Sequence, residues 1–471
     1  MDYRYTFGVH HGIVNNVKLY FLHNYEIFPS PYPEGTNAII MKQISLFSKA
    51  ALELLCFIKT VPALIVTNDW FTGLCAAYSK HNHFGETFRG STFFHIVHNL
   101  EPTYEGRIYS SVQEGTLEHI HKLPPYCLVD PYWKARVINP SRCAILMSDQ
   151  WGTVSPSYRK DLIETSPLAS ILNMHKKPFA YPNGIFKEQR LIALTTKVGS
   201  NKDEAKAKIQ MKYFKFSSGD MSIPLFSFVG RITQQKGVLL ILEAAESILN
   251  KYGGKVNILV GGMGSPKDPY CQSCVQKINH LKGRYSHSFW ADPNEFFTDG
   301  PLINLGSDFG LMPSVFEPGG IVQHEFFIAS TPVLAFRTGG LKDTVIEFDF
   351  KTNKGNGILF ESHNFHDFIY AIERAVNLFN DKDKFEICRI NAFNSAIDVM
   401  DVASMWCREF CRLRNKIFFN ASFMTEIYKN IQIGTLDPVT ENRNYKLYEI
   451  LKKFNYKDYV FSKDEVKYFL N

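Results

Sequence analysis

Short runs of β-branched and aromatic residues recur along the chain, each followed by a turn and then by helical spacing: "VKLYFL" from Val17, "ALIVT" from Ala63, "TFFHIV" from Thr92 and "AILMSD" from Ala144. Strands alternating with helices in this way predict βαβ units and a parallel sheet covered on both faces. The rhythm resumes in "PLFSFVGR", "VNILVGG", "DFGLMPS" and "TPVLAF", which predicts a second set. Between the sets lies a polar, Lys-rich interval from about Phe186 to Met221, where "NKDEAKAKIQMKYF" reads as one amphipathic helix. After Leu359 the pattern turns helical, in "DFIYAIERAVNLFN", "VASMW" and "MWCREFCRLRNKIFF", and the last thirty residues read as helix or loose order.

The expected architecture is therefore α/β, with two doubly wound, Rossmann-like domains facing a cleft. Residues 1–190 form the first domain, 191–221 a linker and 222–390 the second domain, while helices in 391–471 pack back across both. Open parallel sheets bind ligands outside the carboxyl ends of their strands, so the residues just after each strand are the ones to inspect.

Composition narrows the function classes. A chain of 471 residues with 45% hydrophobic and 21% charged residues lies within the range of globular proteins of two or three domains. The net charge of +6 permits a small anionic ligand, but no run of like charges forms the concentrated basic stripe of a nucleic-acid binder. Nine scattered Cys, with the single C-x-x-C of Cys271 and Cys274, read as reduced structural thiols rather than a zinc site. No apolar run approaches the ~20 residues that span a bilayer. The start "MDYRYTFGVHHG" lacks the pattern of a signal peptide, so a cytoplasmic protein is expected, with a plastid address if an upstream targeting segment is missing.

Three loops carry candidate chemistry in the second domain. After "LFSFVG" come Arg231 and Lys236 in "GRITQQKG", ahead of a helical run; two cations beside a helix N-terminus suit a phosphate, or else form a solvated turn. After "TPVLAF" come Gly339 and Gly340 in "RTGGL", where paired glycines bring backbone N–H groups close to a ligand, or simply turn the chain. After "DFGLMPS" comes "SVFEPGGIVQHE", with Glu317 on the loop and Glu325 expected about two turns into the next helix. A loop carboxylate can accept hydrogen bonds from sugar hydroxyls, and a second one from another polyol such as ribose; the plainer role for Glu317 is as a helix cap. In the first domain, "TNDWFTG" sets Asp69 and Trp70, and "HIVHNL" sets His98 and Asn99, just past their strands.

Taken together, these motifs resemble the starch and glycogen synthases of the bacterial and plant type, retaining glucosyltransferases of the GT-B fold. The likeness runs from about Val17 to Asn430 through "NDWFTG", "VHNL…YEG", "TVSPSY", "PNGI", "FVGRITQQKG", "LMPSVFEPGG" and "RTGGLKDTV", in family order. It implies transfer of glucose from ADP-glucose or UDP-glucose to the non-reducing end of an α-1,4-glucan, with no metal or other cofactor. It implies that Arg231 and Lys236 hold the diphosphate, that Glu317 holds donor hydroxyls near Gly319 and Gly320, and that Thr338, Gly339 and Gly340 meet the phosphate. His98 and Asp69, with Asn99 and Tyr104 beside them, would meet the sugar and the acceptor. The partners implied are a glucan and a nucleotide-glucose, with neither nucleic acid nor membrane.

The departures carry information too. No K-x-G-G-L precedes Val17, so the first sheet is expected to lack its opening strands and the chain to be a piece of a longer polypeptide. Asn68 and Phe71 stand where the family has histidines, and Gly319 stands where it has cysteine. The segment from Gly115 to Ala144 is expanded. Glu325 gives the two glutamates eight positions apart found in many other retaining GT-B enzymes, where the second is associated with ribose, and it brings UDP-glucose into consideration. The competing readings are a catalytically incomplete fragment or a non-catalytic glucan-binding homologue. A glycogen phosphorylase would show a pyridoxal-phosphate lysine context, which is not found.

Overall fold

The computed structural model describes residues 5–417, apart from 31, 32, 34, 103, 131–136, 176, 295 and 296. The helical reading of the last thirty residues lies outside them. The chain divides into two compact units. The first runs to Thr153 and adds Asp161–Phe179 and the chain from Met405; the second comprises Val154–Lys160 and Ala180–Ser404.

The first unit opens with a hairpin of β1 (Gly8–Val14) and β2 (Val17–His23). "VKLYFL" thus forms an antiparallel ribbon rather than the parallel strand its composition predicts. The reason is local: Asn15 and Asn16 adopt φ of 51° and 64°, the two-residue turn whose twist matches a hairpin, and Val14 pairs with Val17. The main sheet has the order β3-β4-β7-β8, from β3 (Leu64–Asn68), β4 (Thr92–Val97), β7 (Gln150–Thr153) and β8 (Phe179–Ala180). A small pair, β5 (Ile108–Tyr109) and β6 (Val137–Ile138), lies apart. "AILMSD" is helix, not strand. Asn139 caps the Pro140–Met147 helix by accepting from Arg142 N at 3.0 Å, and Pro140 stands at its first turn; together these start signals override the apolar run.

The second unit is built on six parallel strands: β9 (Leu225–Val229), β10 (Asn257–Gly261), β11 (Phe289–Asp292), β12 (Phe309–Met312), β13 (Val333–Phe336) and β14 (Gly357–Phe360). Their spatial order is β11-β10-β9-β12-β13-β14, so the chain starts in the middle, runs to one edge, then returns and runs to the other. The reversal between β9 and β12 is the topological switch point of a dinucleotide-type sheet, where the flanking loops part and leave a crevice. The buried stripe Phe226, Phe228, Ile258, Val260, Phe309 and Leu311 packs with Val238, Ile241 and Ala245 of the Val238–Lys251 helix in one core. "NKDEAKAKIQMKYF" is the Lys202–Phe214 helix, which buries Ala205, Ile209 and Phe214 within this unit. The two edge strands, β11 and β14, are not among the runs singled out from the sequence.

Candidate active site

Each candidate loop of the second unit leaves the carboxyl end of its strand. After β9, the loop carries Arg231, exposed, and Lys236 at the end of a single 3-10 turn, Gln234–Lys236. After β12, the loop carries Glu317, which is 7% exposed. Across the switch point Lys236 Nζ donates to Glu317 Oε2 at 2.5 Å, and Ser314 Oγ donates to the same oxygen at 2.9 Å. Backbone bonds hold the two loops in register: Val315 N donates to Gln235 O at 2.9 Å, and Gln235 Nε2 to Phe316 O at 3.1 Å. A largely buried ion pair of this kind persists because the loops that bring it together are themselves tied.

The loop after β13 buttresses Glu317. Gly340 N donates to the Glu317 carbonyl at 2.8 Å, and Thr338 Oγ1 donates to Val315 O at 3.3 Å. The Gly340 N–H is thus committed to the neighbouring loop, not offered to a ligand as the paired glycines suggest. Gly339 has φ 44°, and a Cβ there would run into the Glu317 carbonyl oxygen. Gly319 lies against Asn183 and Val154, so close that a side chain would strike both. Gly320, at φ 59°, leads into the Val322–Ile328 helix. Asp343, just beyond "RTGGL", accepts from Ser155 Oγ at 2.8 Å and Ser157 Oγ at 2.5 Å. "TVSPSY", "PNGI", "EPGG" and "RTGGLKDTV" therefore meet around one loop cluster.

A cavity of about 720 Å³ opens beside Arg231, lined by Gly230, Thr233, Gly261, Gly262, Met263 and Phe297 among others. Thr233, on the same wall, has its Oγ1 buried without a hydrogen-bond partner. The Gly261-Gly262 pair closing "VNILVGG" could have pointed to this wall from the sequence, being a strand end of the same kind as the others; Phe297 gave no such signal.

Glu325 sits elsewhere in this unit. It lies in the first turn of the Val322–Ile328 helix, not two turns in, because that helix begins only at Val322. Its Oε1 is 3.4 Å from Arg190 Nε on the Lys187–Val198 helix. Burial pushes its carboxyl above the usual range, with the Arg190 guanidinium opposing. It lines a second cavity, of about 370 Å³, together with Arg190, Lys197 and Asn304.

In the first unit, Asp69 and His98 are brought together. Asp69 Oδ1 accepts from His98 N at 2.8 Å, and His98 Nε2 lies 3.0 Å from Asn68 Oδ1. Burial raises the Asp69 carboxyl, while hydrogen bonds from the His98 and Asn99 backbone and the His98 ring's charge oppose the shift. Asn68, in place of a histidine, orients the His98 ring. Phe71, in place of the other, stacks on Phe47 at 4.9 Å and joins an aromatic cluster with Phe28 and Trp70. Asn99 Oδ1 accepts from Glu101 N at 2.9 Å and so shapes the following turn, where Tyr104 is 43% exposed.

A family profile described as "Starch synthase catalytic domain" matches residues 1–174, and one described as "Glycosyl transferases group 1" matches residues 212–388. The glycogen synthase of Finegoldia magna is 31% identical over 421 residues, covering 84% of this chain and 83% of that protein. The chain belongs to the glycogen and starch synthase family. It is accordingly a hexosyltransferase of the glycogen and starch synthase type with a GT-B fold. The glycogen synthase of Flavobacterium johnsoniae is 30% identical over 381 residues, 78% of this chain and 76% of its own. Among solved structures, the catalytic domain of Starch Synthase IV from Arabidopsis thaliana, bound to ADP and acarbose, superposes with a TM-score of 0.72 at 22% identity. It covers 87% of this chain and 85% of that one. Among the described residues of this family member, no helix is long and apolar enough to cross a membrane.

Proposed function

We propose that this chain transfers glucose from ADP-glucose or UDP-glucose to the non-reducing end of an α-1,4-glucan, with retention at the anomeric carbon. The observation that carries the reading is the Lys236–Glu317 pair, set across the switch point of the 222–390 sheet and beside the cavity that holds Arg231. In this reading the base and ribose enter that cavity, whose glycine-rich wall admits a flat ring, and the diphosphate lies along Arg231 and Lys236. Glu317 turns to the glucose hydroxyls as Lys236 turns to phosphate. The backbone around Gly319 and Gly320 lies under the sugar, with Thr338 and Gly339 toward the phosphate.

The acceptor hydroxyl oxygen attacks C1 on the face from which the nucleotide departs. The bond from C1 to the phosphate oxygen breaks, its electron pair stays on that oxygen, and the acceptor proton follows it there. Two cations on the departing diphosphate favour this step, since the charge that develops in the transition state is the charge they are placed to meet. For Asp69, His98, Asn99 and Tyr104 the proposal is contact with the transferred sugar and the acceptor. No resident cofactor has a part in this scheme.

Incubation with glycogen and either labelled donor tests the reading. Label should enter glycogen and be released by β-amylase, which requires α-1,4 linkage, and Lys236→Ala should lower the rate by about two orders of magnitude, the scale of losing an oxyanion-type contact. A correctly folded chain that incorporates label from neither donor, and binds neither nucleotide, overturns it.

A further inference from the structure

Next to Tyr104, the first unit buries three charged side chains together. Glu105 and Arg107 form an ion pair with both side chains closed off from solvent, and Asp130 is buried beside them. Asn139 Nδ2 donates to Asp130 Oδ2 at 3.3 Å, which ties that carboxylate to the helix that Asn139 caps. Glu105 is anchored to the same helix, its carbonyl accepting from Ser141 Oγ at 2.8 Å. Just past Arg107 the chain enters β5, where Ile108 pairs with Ile138. The cluster therefore joins the 101–107 turn, the β5 and β6 pair and the Pro140–Met147 helix.

Two carboxylates share one guanidinium here, in a place closed to solvent. A buried carboxylate whose charge is not compensated takes up a proton rather than stay ionised. Burial pushes the Glu105 carboxyl from 4.5 up to about 8; Arg107 opposes the rise, Asp130 adds to it, a hydrogen bond with Asn139 opposes and Glu101 adds. The neighbouring elements bring little more charge to it. On the Pro140–Met147 helix Arg142 donates to the Tyr126 and Cys127 carbonyls, the Asn37–Phe57 helix meets β5 through the uncharged Asn37, and the Trp70–Thr72 turn packs on Gly106 through the Trp70 ring. With one proton the three groups are neutral together; without it they carry an excess negative charge.

What the cluster supports is the turn above it. Tyr104 N and Glu105 N both donate to Glu101 O, at 2.7 and 3.0 Å, and Glu101 N donates to Asn99 Oδ1. Gly106, at φ 75°, lies so close to Trp70 that a Cβ there would strike the indole, so the turn is pinned on that side as well. We propose that Glu105, Asp130 and Arg107 are positioning residues for the glucan: they hold one proton on two carboxylates and, through the 101–107 turn, set Asn99 and Tyr104 in place. This rests on the reading that Asn99 and Tyr104 meet the acceptor. Loss of the proton sets Glu105 against Asp130, the cluster opens, and the turn moves with it.

Steady-state kinetics with glycogen varied, between pH 6.5 and 9, test the proposal. Wild type should show a glycogen KM about tenfold higher at pH 9 than at pH 7, the factor expected one unit beyond the titration of a group that must be protonated, with donor KM and kcat changing much less. Glu105→Gln keeps the shape of the protonated acid and should flatten the rise. Asp130→Asn, which leaves one carboxylate to one guanidinium, should flatten it too. A glycogen KM that stays level in wild type, or climbs as steeply in Glu105→Gln, overturns the proposal; so does an equal rise in the donor KM. If the chain transfers no glucose at all, hydrogen–deuterium exchange of the peptide spanning 101–107 still reads the inference separately from the activity. At pH 9 that peptide should exchange several-fold faster in wild type than in Glu105→Gln, and at pH 7 equally fast in both. Equal rates at both pH values overturn it.

Discussion

Asp69 holds the backbone of His98: its Oδ1 accepts the His98 N–H at 2.8 Å, while Asp69 itself sits at φ 50°. The carboxylate thus ties the end of β3 to the end of β4 and fixes where the His98 ring begins. Asp69→Ala leaves a partly buried N–H unmatched and should cost about 1.5–3 kcal/mol of stability, the range for a hydrogen bond to a charged group. Asp69→Asn keeps an acceptor and should cost less than half of that. Urea denaturation of the two variants side by side checks the ordering; equal losses would mean that the charge, not the bond, holds the loop.

Lys236→Ala and Glu317→Ala should each destabilise the protein, because each strands the partner's charge in a largely buried setting. About 3 kcal/mol is expected, the lower end of the range for breaking a buried pair. Replacing both, as Lys236→Met with Glu317→Gln, should recover much of the stability and none of the glucosyl transfer. Thermal melts and the glycogen assay on the same preparations separate the two effects.

Gly339→Ala puts a methyl group against the Glu317 carbonyl and demands φ near +44° from an L-residue. The loop must shift, and Glu317 with it. We expect far-UV circular dichroism to stay as in wild type while donor affinity falls at least tenfold, a change of about 1.4 kcal/mol. Unchanged affinity in isothermal titration would show that the loop position does not set the site.

Lys202 reports on the packing of the second unit. Its Nζ donates to Ala329 O at 2.9 Å and Thr331 Oγ1 at 2.7 Å, and burial, with Arg389 adding to it, brings the amine from 10.5 down to about 7. Above pH 10.5 the amine is neutral whether folded or unfolded. As pH falls from there towards 7, the unfolded chain gains a proton that the folded chain does not, so this group's contribution to stability declines over that window and is level below it. The melting temperature of Lys202→Met relative to wild type should therefore rise between pH 10 and pH 7. A difference that does not change with pH would count against a neutral buried amine.

The central strands were readable because they are buried on both faces and written as continuous apolar runs: "TFFHIV" is β4 from its first residue to its last, and "LFSFV" is β9. The edge strands β11, "FWAD", and β14, "GILF", were passed over although they are as long as β12 and β13: β11 ends on a charged residue, and β14 abuts the stretch where the pattern turns helical. "AILMSD" misled because an apolar helix face and an apolar strand look alike over four residues, and the deciding signal lay upstream in "NPS". At the site, Lys236, Glu317, Gly339 and Gly340 were legible as loop residues after strands. Which of them touch was not: the partners are about eighty residues apart, and only the strand order places them together. Arg190 and Asn304 lay on helices, where a lone Arg or Asn carries no signal.

The pairing of Lys236 with Glu317 makes each side chain the other's counter-ion. An occupant that brings phosphate alone satisfies the lysine and abandons the glutamate; one that brings sugar hydroxyls alone does the reverse. Only a molecule carrying both, joined at the right separation, leaves neither charge stranded. On the proposed reading the loop crossing acts as a two-key lock, to which inorganic phosphate and free glucose would each bring one key.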